Sequence, residues 1–218
     1  MSLHHDGGGD SQGLVNMVRP PKHVHRSRAL RSYRYSQIKY TLETYKGDPR
    51  RVFVTGSSSG GMVSNVLAAA YPDVFAAGAS FSGAPAFACW SGAGAGAGGP
   101  DPSCATKKSP TSAQQWGDLA RSAAAPGYNG SWPRMQIWHG TADSVVSYGY
   151  LANSLDQWSS VHGVVFAKNE TSNPQLRYTK MVYGDGSRVV GYSAEGVGHI
   201  VPFHEKEVLE FFGLLPAV

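Results

Sequence analysis

Residues 51–62 read RVFVTGSSSGGM, and this stretch decides the fold. RVFVT is a short apolar, β-branched run of the kind that forms a buried strand. Gly56-Ser57-Ser58-Ser59-Gly60 follows it as G-x-S-x-G, and an amphipathic stretch with Met62, Val66, Leu67 and Ala70 on one face follows in turn, stopped by Tyr71-Pro72-Asp73. A strand, a sharp Gly/Ser turn and a helix in that order form a nucleophile elbow. The turn strains the central serine, small neighbours let strand and helix approach, and the helix N-terminus favours negative charge developing at Oγ. Ser58 is therefore the candidate nucleophile; Ser57 and Ser59 lack flanking glycines in this register.

Working outward, further short apolar runs alternate with longer amphipathic stretches, the rhythm of a mostly parallel sheet covered by helices, an α/β architecture. Strands are expected at Val52 to Thr55, Ala76 to Phe81 and Met135 to Trp138, with final strands at Tyr178 to Tyr183 and Arg188 to Tyr192 about an Asp185-Gly186 turn. Helices are expected from about Ser147 to Ser159, with Tyr148, Leu151, Leu155 and Trp158 facing the core, and from His204, with Val208, Leu209 and Phe212.

A serine hydroxyl needs a base, and in this architecture the order runs serine, acid, histidine. Four of the eight histidines, His4, His5, His23 and His25, precede Ser58. His139 ends a strand, His162 follows a helix and His204 starts one, so each reads as a packing or surface residue. His199 stands in Glu195-Gly196-Val197-Gly198-His199, a glycine-rich loop after the last strand, where backbone freedom can carry an imidazole to Ser58. Asp143, in His139-Gly140-Thr141-Ala142-Asp143, follows a strand and would hold that imidazole in its working tautomer. Asp118 and Asp156 are rivals by order, but both fall in helical stretches, away from the strand ends where such sites form.

At 218 residues the chain is expected to make one domain, residues 1–218. It has no run approaching the roughly 20 apolar residues of a membrane span and no apolar signal-peptide core. Its net charge of +4 invites a nucleic-acid reading, but residues 18–37 hold six Lys/Arg and no acid, leaving the remaining chain at −2, six below the whole. No nucleic-acid or membrane partner is expected. With this basic stretch deleted, Leu14, Val15, Ile38, Leu42 and Tyr45 share one helix face, and the codons of Val18 and Gln37 can supply the GT and AG borders of an in-frame intron. A retained intron is the expectation; a surface insertion and a polyanion-binding arm are the alternatives. Cys89 and Cys104 flank a Gly/Ala-rich loop, and Asn129-Gly130-Ser131 and Asn169-Glu170-Thr171 fit the N-glycosylation acceptor pattern, which together point to a secreted, extracellular protein.

The phrases RVFVTGSSSGGM, YPDVFAAGASFSG, MQIWHGTAD and GYSAEGVGHIVP resemble carbohydrate esterase family 1, the acetylxylan and feruloyl esterases related to polyhydroxybutyrate depolymerases. The likeness covers about residues 6–17 and 38–215. It implies an α/β-hydrolase fold, an acyl-enzyme mechanism on acetylated or feruloylated xylan, a monomer, and neither a metal nor an organic cofactor. Within it Ser58, Asp143 and His199 match nucleophile, acid and base, the Ser59 N–H is one oxyanion-hole donor, and Cys89 and Cys104 match a disulfide. Serine peptidases of the prolyl-oligopeptidase type share G-x-S-x-G-G and HGTAD-like phrases and are the alternative within the enzymes. One departure stands out: members of the family carry a signal peptide, first strands and a loop supplying a second oxyanion donor before this point. The expectation is a hydrolase domain lacking its first strands, with little activity and a tendency to aggregate when made from Met1 to Val218 alone.

Overall fold

The alternating pattern folds into one sheet with helices on both faces. The computed structural model describes residues 37–88 and 112–216. A helix through residues 37–45 (α1) and a 3-10 turn at Pro49–Arg51 lead into β1 (Phe53–Ser57), α2 (Ser59–Ala70) and β2 (Ala77–Phe81). Then come α3 (Ala113–Ala123), β3 (Arg134–Gly140), α4 (Gly149–His162), β4 (Phe166–Thr171), β5 (Tyr178–Tyr183), β6 (Val189–Ala194) and α5 (Glu205–Phe211). The sheet order is β1-β2-β3-β6-β5-β4. Strands β1, β2, β3 and β6 run parallel, while β5 and β4 return antiparallel at one edge.

Alternation along β3 divides the core. Trp138 points to the face where it stacks on Tyr192 at 3.7 Å between ring centroids and on Phe81 at 5.4 Å, under Val208 and Phe212 around α5. Met135 and Ile137 point to the other face, against Leu151, Leu155 and Trp158 of α4 and Ala68 and Ala69 of α2. Side chains of successive strand residues leave opposite faces, so one strand serves both cores.

The register matters most for function. Ser57 pairs with Phe81, Phe81 with Trp138 and Gly140 with Ala194, so the carboxyl ends of the four parallel strands lie along one rim. The segments after β1, β3 and β6 leave the sheet there, which is where open α/β sheets build their sites.

Several expectations change. The observed strands extend further toward the rim than the apolar runs imply: β1 ends at Ser57, β3 at Gly140 and β6 at Ala194. The elbow helix α2 buries Gly60, Gly61, Ser64, Asn65, Ala68 and Ala69, leaving Met62, Val66, Leu67 and Ala70 only half-buried. Close approach selects small residues for the sheet-facing side: a Cβ on Gly61 would lie 2.7 Å from the Phe81 carbonyl oxygen. Strand β4 is not among the expected strands, because its residues FAKNET are almost all exposed and it is held by backbone pairing to β5, with Lys180 of β5 reaching Glu170 at 3.9 Å. Of the helix face proposed across the basic stretch, Ile38 and Leu42 are half-buried and Tyr45 is exposed. Leu14 and Val15, all of the basic stretch but Gln37, and both cysteines lie outside the described residues.

Candidate active site

The elbow geometry starts with Ser58. It has φ 55° and ψ −122°, a left-handed backbone that non-glycine residues adopt at a cost of about 1–3 kcal/mol. Its N–H donates to the Phe81 carbonyl at 2.9 Å, tying the turn to the end of β2. Gly56 and Gly60 make the turn feasible: a Cβ on Gly56 would meet the Gly60 backbone, with Gly60 Cα at 2.9 Å. Helix α2 is anchored beneath by a buried network. Asn65 donates to Ser80 Oγ at 3.1 Å and to the Ala84 carbonyl at 2.9 Å, and accepts from Trp158 Nε1 at 2.9 Å. Ser59 opens the helix, so its N–H belongs to the first turn, where amides have no intrahelical acceptor and the macrodipole is positive.

His199 Nε2 lies 2.8 Å from Ser58 Oγ. Its Nδ1 lies 2.9 Å and 3.1 Å from the two carboxylate oxygens of Asp143. The structure thus brings together the three side chains that sequence reasoning selected, from the ends of β6, β1 and β3. The acid turn and the histidine loop are stitched directly: Ala142 N–H donates to the Val197 carbonyl at 3.0 Å, and Gly196 N–H to Thr141 Oγ1 at 2.8 Å. Gly196 has φ 72°, so the loop uses the freedom that glycine supplies.

The Asp143 side chain is fully buried, which by itself pushes its carboxyl up; the bonds from His199 and from the Val146 and Val145 N–H groups, at 2.8 and 2.9 Å to Oδ1, outweigh this and hold it below the usual range. It is an anion at neutral pH, able to stabilise a neighbouring imidazolium.

The other candidates separate. Asp118 lies on the surface of α3 bonded to Arg121 at 2.7 Å, and Asp156 is half-buried on α4. His162 bonds the Pro133 carbonyl at 2.9 Å, and His204 stacks on Trp138 with centroids 4.6 Å apart. His139 is buried, as a packing residue would be, yet its Nε2 sits 3.1 Å from Asp143 Oδ2. Sequence reasoning missed this contact; the signal was the spacing of His139 and Asp143 across a strand-end turn. Asn129 and Asn169 are both exposed.

Comparison with known proteins bears on this arrangement. A model described as the prolyl oligopeptidase family matches residues 35–157. The chain is 46% identical over 98% of its length to feruloyl esterase B of Talaromyces stipitatus, and 42% identical over 98% to an acetylxylan esterase of Coprinopsis cinerea. It superposes on the acetyl xylan esterase of Aspergillus awamori with a TM-score of 0.78 at 35% identity, covering 85% of this chain and 68% of that one. The chain belongs to the prolyl oligopeptidase family and is similar over nearly all of its length to acetylxylan and feruloyl esterases. Its fold is the α/β-hydrolase fold of that family. It spans about half the length of the curated relatives it matches, 54% of the Talaromyces protein and 51% of the Coprinopsis one. The family match spans the region that carries Ser58 and Asp143, and His199 lies beyond its end.

Proposed function

We propose that this protein is a secreted serine carboxylic ester hydrolase that removes acetyl groups from plant cell-wall xylan through an acyl-enzyme. The observation that carries the proposal is the chain of contacts Ser58 Oγ to His199 Nε2 at 2.8 Å and His199 Nδ1 to Asp143 at 2.9 Å, built on a strained elbow. His199 takes the proton of Ser58 as its oxygen attacks the ester carbonyl. Asp143 fixes the tautomer and stabilises the imidazolium. The Ser59 N–H faces the oxygen that becomes negative in the tetrahedral intermediate, the favoured place for an anion at a helix start. Collapse expels the sugar hydroxyl with the proton from His199, and water, activated by the same base, releases acetate and restores Ser58.

A feruloyl ester is the second reading, favoured by the 46% identity to a feruloyl esterase against 42% to the acetylxylan esterase. The ester reading is preferred over a peptidase because the relatives with these identities are named esterases. Exposure of Asn129 and Asn169 supports their use as glycan acceptors in a secreted protein. A disulfide between Cys89 and Cys104 belongs to the same reading. Alkylation of the denatured, unreduced protein should label neither.

The test is incubation of the whole protein with acetylated xylan and with feruloylated arabinoxylan, measuring released acetate and ferulate. Acetate release abolished by Ser58→Ala supports the proposal. Ferulate without acetate selects the second reading, and release of neither, with cleavage of a peptide ester or amide instead, overturns both.

A further inference from the structure

Asp143 receives one more donor than a serine, histidine and acid relay requires. Its carboxylate is met by the Val145 and Val146 N–H groups, by His199 Nδ1, and also by Nε2 of His139 at 3.1 Å from Oδ2. His139 is the penultimate residue of β3, its ring wholly enclosed. The same Nε2 lies 3.0 Å from the Val146 carbonyl oxygen. Both neighbours of this nitrogen are acceptors, so Nε2 must carry the proton, which bonds the Val146 carbonyl and lies in close contact with Asp143 Oδ2 beside it. Nδ1 meets no hydrogen-bond partner among the described residues. Burial also pushes the ring's pKa down, away from the imidazolium, despite the opposing pull of the Val146 carbonyl and Asp143. The ring is therefore a neutral, single-proton donor with a fixed tautomer.

Its orientation is fixed from two sides. His139 pairs with Ser193 across β3 and β6, and Ser193 Oγ bonds the Tyr148 hydroxyl at 2.8 Å. The Tyr148 ring meets His139 edge-on, at 6.2 Å between centroids and 78°. The titratable groups facing the imidazole are thus Asp143 from the turn after β3, Tyr148 at the start of α4 and, beyond Asp143, His199 from the loop after β6.

We propose that His139 is a positioning residue for the esterase reaction: its Nε2–H clamps Asp143 Oδ2 against the Val146 carbonyl, holding the carboxylate in the orientation that accepts the His199 Nδ1 proton. A histidine serving only as core filling needs neither a defined tautomer nor contact with the acid. The inference rests on the proposed relay of Ser58, His199 and Asp143.

The test uses His139→Phe, His139→Gln and His139→Asn in the whole protein, followed by turnover of a chromogenic acetyl ester and by the rate at which an organophosphonate labels Ser58. Glutamine can place an amide N–H near the former Nε2; asparagine places it nearer Nδ1, and phenylalanine supplies none. Loss of a hydrogen bond to a charged group is worth about 10- to 100-fold, so kcat and the labelling rate should fall by that factor in His139→Phe with KM within about threefold. His139→Gln should recover most of the loss. If the phenylalanine variant does not fold, glutamine exceeding asparagine by about tenfold supports the same assignment. Nitrogen-15 NMR of the wild type at neutral pH should show His139 protonated at Nε2, and the downfield proton between His199 and Asp143 should shift in His139→Phe and return in His139→Gln. Unchanged kcat in a folded His139→Phe, equal loss in the glutamine and asparagine variants, or a ring protonated at Nδ1 would overturn the proposal. Absence of Ser58 labelling in the wild type would instead refute the relay itself, a separate failure.

Discussion

Gly140→Ala should abolish the proposed esterase activity without touching any of the three side chains in the relay. Gly140 ends β3, three residues before Asp143, and packs directly on the loop that carries His199. A Cβ there would collide with the Val197 carbonyl oxygen and lie 2.6 Å from that of Gly198 and 2.7 Å from Val197 C. All are backbone atoms, and the Val197 carbonyl is already held by Ala142 N–H at 3.0 Å, so no side-chain rotation relieves the clash. Ordinary carbon–oxygen contacts begin near 3.3 Å, so the Gly198 carbonyl must retreat by about 0.7 Å. His199 is the next residue. A displacement of this size carries Nε2 from 2.8 Å toward the limit of hydrogen bonding with Ser58 Oγ. Misplacement of about 1 Å costs on the order of 10²-fold in rate, and overpacking costs about 1–3 kcal/mol of stability. The control is Gly198→Ala, whose Cβ would meet nothing within 4 Å although it adjoins His199. Turnover of a chromogenic acetyl ester by the two folded variants, with thermal melts alongside, gives the comparison. Gly140→Ala within about threefold of wild type, or Gly198→Ala equally impaired, would show that the contact of β3 with the 197–198 backbone does not set the position of His199.

Other outcomes follow from the same geometry. Ser58→Ala, His199→Ala and Asp143→Asn should each lower kcat by about 10³ or more, and the triple variant should be little worse than the most impaired single one, as measured by steady-state kinetics. Asn65→Leu strips partners from Trp158 Nε1, Ser80 Oγ and the Ala84 carbonyl, and should cost about 3 kcal/mol or more in denaturant unfolding. Acidification should destabilise the fold in two windows. Burial pushes His139, His162 and His204 below the ordinary histidine value, so the unfolded chain binds protons that the folded chain refuses, and stability falls as pH drops below about 6.5. Asp143, held low in the fold, contributes stability that is complete above the ordinary carboxylate range and is lost only as pH falls through its depressed folded value. His162→Gln should flatten the first window, and Asp143→Asn the second, in urea titrations at stepped pH.

Much of this site was legible because its signals are local. Gly56 and Gly60 around Ser58 report a tight strand-to-helix turn whatever lies elsewhere, and the glycines before His199 report a loop with unusual backbone freedom. Asp143 was legible by its place after a strand. What escaped depended on three-dimensional packing. The buried face of α2 is made of glycine, serine, asparagine and alanine, because a helix lying this close to a sheet selects for size over apolarity. Hydrophobic periodicity therefore pointed to the wrong stripe. Strand β4 has no apolar period, since an edge strand bearing Lys168, Asn169 and Glu170 is held by its backbone. His139 looked like core filling because its one informative neighbour, the Asp143 carboxylate, reaches it only when the 140–146 turn folds back.

Ester cleavage is proposed to pass through a covalent acyl group on Ser58. Acid-quenching the whole protein during turnover of an acetyl ester, followed by peptide mapping by mass spectrometry, measures this directly. An acetyl group is expected on the peptide containing Ser58, localised to that residue by fragmentation, absent in Ser58→Ala and absent without substrate. Sustained turnover with no adduct, or an adduct on Ser57, Ser59 or any other residue that survives in Ser58→Ala together with activity, would contradict it.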